Sequence, residues 1–382
     1  MNKSKARLLK PMYWHYWLSL LLCLAMVPVL TRLHLPLRFD WITLSVAYWL
    51  VLSAQSIFAA VVLGLIGLPR GQLLKPLLSR YRQNPLRLVP LILFLAILCW
   101  LTNWLRALVA GVDALALLEL INRHRKWQWR QLASAIVLPA AYLFFGFLMV
   151  LAYNNAIASI RCNFATDPTL AAIDRWLLRG HSVSDLTHWG LQTLPISFFH
   201  ALEFIYFGMF LQIGATLILL ALSEGRTQAL QFVGTILTSY YLALIIFYAW
   251  PAQGPYTLCP GHFLRFPASL QSYTIQKTLI PHALALFHHQ PISRISTDYF
   301  IAFPCMHIVQ PIIVLWFLRH RRRLVAVLAA YDVLLIGAIL MLEMHYVIDI
   351  VAALPTAALS IAITGGVFGR KNPETVVCEI AP

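Results

Sequence analysis

Residues 303–349 read FPCMHIVQPIIVLWFLRHRRRLVAVLAAYDVLLIGAILMLEMHYVID, and this run decides the class of the whole chain. Two apolar stretches, near 303–319 and 324–343, flank a basic knot of Arg319, Arg321, Arg322 and Arg323. A helix needs about 20 apolar residues to cross a bilayer. The run therefore crosses, turns at the knot and comes back. His307 and His345 stand near its two ends, 38 residues apart, so both return to the same membrane face. Asp349 follows His345 by four residues. On a helix that spacing puts the pair on one face, about 5–6 Å apart at Cβ.

The rest of the chain agrees. Of 382 residues, 60% are hydrophobic and only 11% are charged, against roughly 45–50% and 25% in a soluble domain. A soluble fold of this size cannot hide that much apolar surface. The expected class is an all-α polytopic membrane protein. Further apolar stretches lie near 13–31, 41–67, 88–104, 105–121, 132–153, 197–222, 229–250 and 346–366, giving about ten transmembrane helices. The pair at 88–104 and 105–121 is short and carries Asn103, Arg106, Asp113 and Glu119. Two short spans, one tilted helix and a re-entrant pair all fit it.

The net charge of +15 would suggest nucleic acid in a soluble protein. Here it marks orientation. Roughly two thirds of the 29 basic residues fall in alternate connections: Lys3 to Lys10, Arg70 to Arg87, Arg123 to Arg130, Arg226, the knot at 319–323, and Arg370 with Lys371. The positive-inside rule puts these, and both termini, in the cytoplasm. His307, His345 and Asp349 then lie on the outer, periplasmic or lumenal, face of a plasma or inner membrane. The first apolar stretch has no small-residue cleavage site and reads as a retained anchor.

Two long connections share that outer face, 154–196 and 251–302. In the first, Leu170, Ile173, Leu177 and Leu178 recur at helical spacing, and Asp167-Pro168 reads as a cap and helix start. An amphipathic helix on the membrane surface is expected. The second holds Pro251, Gly254, Pro255, Pro260, Gly261, Pro281 and Pro291, and long ordered loops of this kind carry function.

The chemistry follows from residue types. A carboxylate at Asp349 can hold one ring N–H of His345 and leave the other nitrogen free to attack. His307, across the site, can protonate a leaving oxygen. A nucleophilic nitrogen, its orienting acid and a separate proton donor are what transfer through phosphohistidine needs. One histidine at a helix end is commonly just interfacial, but three matched groups on one face argue for a site. His262, His282, His288 and His289 fit no closed zinc pattern and read as a solvated loop. Cys162 and Cys259 can pair in an oxidising compartment or stay as thiols.

On these residues the chain resembles the type 2 phosphatidic acid phosphatase (PAP2) superfamily. Pro304-Cys305-Met306-His307 matches its P-S-x-H motif, with Cys305 at the serine position, and His345-Tyr346-Val347-Ile348-Asp349 matches H-Y-x-x-D. The resemblance implies a six-helix core over 132–366, preceded by transmembrane helices of unknown role at 1–131 and followed by a cytoplasmic tail at 367–382. It implies His345 as nucleophile, Asp349 as its orienting acid and His307 as general acid, with no cofactor. No metal is called for either, since histidine is already a good nucleophile. Because the family's serine only donates a hydrogen bond, Cys305→Ser is expected to be tolerated.

The departures matter too. The family's first-motif lysine and arginine are missing, and the corresponding loop reads Pro251-Ala252-Gln253-Gly254-Pro255-Tyr256. Ile339 stands where the third-motif arginine belongs. This pattern is similar to the branch with inositol phosphorylceramide and sphingomyelin synthases, as is the run Asp167-Pro168-Thr169-Leu170 with Ile173-Asp174. Candidate replacements for the lost cations are Arg294, ranked first, Arg265 and Lys277. Backbone N–H groups at Gly254 and Cys305, beside Tyr256, form a candidate anion nest. The expected function is a membrane phosphatase or phosphotransferase acting on a lipid phosphate or phospholipid, with water or an acceptor alcohol receiving the group. The alternatives are a phosphodiester head-group transferase and a multispanning lipid transporter or flippase.

Overall fold

The computed structural model describes residues 3–36, 38, 129–161, 166–258, 266–295 and 301–368. Among them are ten α-helices and no strand. In chain order they are α1 (Lys3–Arg32), α2 (Trp129–Arg161), α3 (Asp167–Leu177), α4 (Val183–Thr193), α5 (Ile196–Ser223), α6 (Arg226–Ala249), α7 (Gln271–Phe287), α8 (Met306–Leu318), α9 (Arg322–Met341) and α10 (Val347–Phe368). A 3-10 turn, Pro255–Thr257, lies between α6 and α7. The expected spans at 41–67, 88–104 and 105–121 lie outside the described residues, as do Cys162, Cys259, His262 and Arg265.

Five helices are long and apolar enough to cross a membrane: Ala135–Arg161 within α2, then α5, α6, α9, and Val347–Gly366 within α10. Trp17–Arg32 and α8 are shorter apolar helices. The chain is an integral membrane protein by this measure, and the all-α class holds. Backbone polar groups cannot be left bare in hydrocarbon, which is why these spans are helical. Phe145, Phe204, Ile245, Val333 and Leu354 stay exposed on the outside of the bundle, as lipid contact requires.

α6 packs on α2 and α10, while α8 is surrounded by α5, α6, α9 and α10. α1 joins this bundle: Ser19 Oγ lies 2.8 Å from Tyr142 Oη and 2.9 Å from Tyr241 Oη, and Tyr153 donates to the Leu22 carbonyl at 2.9 Å. Inside, Gln212 of α5 donates to Asp332 of α9 at 2.8 Å, and the Thr235 and Thr364 hydroxyls of α6 and α10 lie 2.8 Å apart. The basic knot closes the α8–α9 hairpin. Arg319 donates to the Trp316 carbonyl at 2.7 Å with its guanidinium 4.4 Å above the indole, and Arg321 reaches Glu224 at 3.8 Å. A cation at a helix C-terminus also meets the negative end of the helix dipole.

The connection 166–194 forms two short helices, α3 and α4. α3 turns Asp167, Leu170, Ala171 and Asp174 inward, while Leu177 is exposed and Trp176 is 79% exposed. Asp167 does not cap α3. Thr166 holds the N-cap position without a side-chain cap bond, and Asp167 spends its carboxylate elsewhere. α4 has the local signature α3 lacks, a capping box between Ser182 and Asp185.

Candidate active site

The α8–α9 hairpin and α10 bring the two motif segments together. After α9, Glu343 takes a left-handed φ of 58° and the Met344 N–H returns to the Ile339 carbonyl at 3.1 Å, reversing the chain. The buried Glu343 carboxylate accepts the Ser184 hydroxyl of α4. α10 then starts at Val347, so His345 sits just before its first turn and Asp349 within it. Asp349 accepts the Tyr346 N–H at 2.8 Å. The Asp349 carbonyl accepts the Cys305 N–H at 3.0 Å, which ties the start of α8 to α10.

His345 Nδ1 lies 2.9 Å from the Ala302 carbonyl oxygen and 3.3 Å from Asp349 Oδ2. A carbonyl only accepts, so Nδ1 must carry the proton. In the neutral ring the lone pair is then on Nε2. That atom faces His307 Nδ1 at 3.3 Å. The His307 ring stacks on Tyr206 of α5, centroids 4.2 Å apart and planes 26° from parallel. His345, Asp349 and Cys305 are buried and His307 is half-buried, so the pair is reached from the His307 side.

A second layer comes from α3. Asp167 accepts the Gln253 N–H at 3.1 Å, the Gly254 N–H at 2.9 Å and the Tyr346 hydroxyl at 3.2 Å. Asp174 accepts the Val347 and Ile348 N–H groups at 2.8 and 3.0 Å. These are orphan donors at the start of α10, so Asp174 is a cap supplied by another helix. Burial raises both carboxyls above the ordinary range, Asp167 to about 6, against the pull of these donors. Gly254 has φ +119°, and a Cβ there would lie 3.0 Å from both the Met344 carbonyl oxygen and the Tyr256 ring. Only glycine suits that position.

The sequence-derived triad of His307, His345 and Asp349 is therefore one connected group. The candidate anion nest needs correction. The Gly254 N–H is engaged by Asp167 and the Cys305 N–H by the Asp349 carbonyl, so neither is a spare donor. Buried Tyr256 packs within the same loop. Arg294 is exposed and acts electrostatically on His282, which burial first, and that charge second, hold below its ordinary pKa. His282 itself meets the Asn155 amide at 3.2 Å, and His288 and His289 are exposed. Lys277 is exposed, with its ammonium 5.5 Å from the Tyr273 ring centroid. The donor atoms of Cys305, His307 and His345 all lie within 4.8 Å of one another, a set able to hold a metal ion.

A family model described as the PAP2 superfamily matches residues 168–363. The chain belongs to the PAP2 superfamily. No curated protein and no solved structure matches it. The PAP2 match runs from α3 to α10 and so includes Asp174, His307, His345 and Asp349. Membership makes the chain an enzyme of the phosphatase and phosphotransferase class, acting on phosphate esters. It does not separate out the inositol phosphorylceramide and sphingomyelin synthase branch. Sequence reading missed the Ala302 carbonyl, the Tyr206 stack and the work of Asp167 and Asp174. For the two aspartates a signal existed: they are seven apart, on the same side of α3 as Leu170.

Proposed function

We propose that this protein transfers the phosphoryl group of a lipid-linked phosphate ester, at the outer membrane face, through a phosphohistidine on His345. The reading rests on one observation, the Nδ1–H held by the Ala302 carbonyl, which in the neutral ring turns the free lone pair of His345 Nε2 toward His307. Nε2 attacks phosphorus, the N–P bond forms and the P–O bond to the lipid alcohol breaks. His307 gives that oxygen its proton. Asp349 and the Ala302 carbonyl hold Nδ1–H and stabilise the positive ring formed on attack. In the second half, His307 takes a proton from water or an acceptor alcohol, whose oxygen attacks the phosphohistidine and frees Nε2.

Exposed apolar residues such as Phe204, Val333 and Leu354 set the bundle in lipid, which favours a substrate delivered from the bilayer. Arg294, Arg265 and Lys277 remain the cations proposed for the phosphate charge. The catalytic unit is taken as 132–366, with 1–131 and the tail at 367–382 outside it. A second reading, transfer of a substituted phosphate head group between two alcohols, is favoured by the Pro251–Tyr256 loop standing where the family's cationic first motif would be. The test is turnover of purified His345→Ala on labelled lipid extract, with acid-labile label sought on the wild-type protein. Undiminished turnover in His345→Ala removes the mechanism. Release of inorganic phosphate against formation of a new phosphodiester separates the two readings.

A further inference from the structure

We infer that Cys305, His307 and His345 form a binding site for a soft divalent cation of the zinc class, and that occupancy shuts the enzyme off. The two ring nitrogens are 3.3 Å apart. Two nitrogens on one tetrahedral zinc, at about 2.0–2.1 Å each, are separated by about 3.3–3.4 Å. The separation that carries the ring-to-ring hydrogen bond matches this bite, and the ion would take the place of the shared proton. The Cys305 sulfur completes three protein donors within 4.8 Å of one another.

The surroundings suit a metal as well. Nδ1–H of His345 is given to the Asp349 carboxylate and the Ala302 carbonyl. That carboxylate–histidine arrangement orients a ligating ring and raises its basicity. Thiolate and imidazole together select zinc over magnesium or calcium. The residue at 305 is what makes the set soft, because a serine there offers no comparable ligand. Three protein ligands leave a fourth position for water.

The functional consequence rests on the catalytic reading above. His345 Nε2 has one lone pair, and a lone pair on a metal cannot attack phosphorus. Metal and substrate therefore exclude each other, and chelation restores turnover.

The site itself is tested without turnover. The full chain, purified in detergent, is titrated with Co²⁺ as a probe. The expected result is one equivalent bound, with a thiolate-to-metal absorption that Zn²⁺ displaces. X-ray absorption of the zinc-loaded wild type should report one sulfur and two imidazole nitrogens, a readout that needs no variant to fold. Cys305→Ser should lose the thiolate band and bind Zn²⁺ at least about tenfold more weakly, and Asp349→Asn should keep the band with about 10- to 100-fold weaker binding. Absence of the band in the wild type, or its survival in Cys305→Ser, overturns the site. Failure of the catalytic reading appears instead as unchanged turnover in His345→Ala and leaves the cobalt titration intact.

Discussion

Ala302 offers the site only a carbonyl oxygen, yet that oxygen settles which nitrogen of His345 bears the proton. Asp349 was legible because an acid four residues after a histidine has meaning on a helix. A backbone acceptor carries no letter in the sequence, so Ala302 was not. His307 was legible from motif and topology, but its stacking on Tyr206 depends on how α5 meets α8, which no local spacing encodes. If His307 supplies the proton, His307→Ala should lower turnover about 10²- to 10⁴-fold while a substrate with a good leaving group loses much less. An equal loss for both substrates would mean that His307 does not act as the acid. Asp167 gives a prediction about stability. Its folded pKa of about 6 stands above the ordinary 3.8, so folding favours its protonated form. That contribution is full below 3.8 and is lost as pH rises through about 6, on the order of 3 kcal/mol in all. Asp167→Asn removes the titration. The melting temperature of Asp167→Asn relative to wild type should therefore rise between pH 4 and pH 6.5 and then level off. A difference that stays flat across that range would show that Asp167 is not buried as described.

At the scale of elements, α3 explains how a site can be built without strong local capping. α10 begins beside the candidate nucleophile, and its first N–H groups are satisfied by Asp174 from α3 rather than by a side chain of its own. Hydrophobic spacing marks Leu170, Ile173, Leu177 and Leu178 as the apolar stripe of a helix lying on the membrane surface. The buried face instead runs Asp167, Leu170, Ala171, Asp174, because two carboxylates had backbone donors waiting on neighbouring segments. Apolar periodicity cannot foresee an acid that is satisfied across a tertiary contact. Losing that cap should cost about 0.5–2 kcal/mol. Asp174→Ala should therefore melt slightly lower but lose turnover out of proportion, because the start of α10 sets the aim of His345. Asp174→Asn, which keeps one acceptor, should recover part of it. Equal turnover in wild type and Asp174→Ala would reduce α3 to a covering helix. Gly254→Ala probes the other contact of the same element: its positive φ and its approach to the Met344 carbonyl predict a destabilisation of more than about 1 kcal/mol, read as a lower melting temperature.

For the whole molecule, the spans were the easiest feature to read, since a helix apolar on every side over about 20 residues has few soluble explanations. The five long apolar helices fall on five of the stretches marked from hydropathy, and α8 on a sixth. Their orientation rests on charge alone, and it decides where the lipid phosphate must be. The α8–α9 hairpin carries Arg319, Arg321, Arg322 and Arg323 at one end and the His307–His345 pair at the other. If the basic end is cytoplasmic, the turn between α3 and α4 near Gly180 lies outside with the histidines. In a background lacking the native cysteines, Gly180→Cys should react with a membrane-impermeant maleimide added to intact cells, and His320→Cys should react only after permeabilisation. Both are exposed positions, so reactivity reports sidedness rather than burial. The reverse pattern would put the site on the cytoplasmic face. The helices and the histidine geometry would survive that result, but the substrate would then be drawn from the inner leaflet, and any metal ion reaching Cys305 would come from the cytosol.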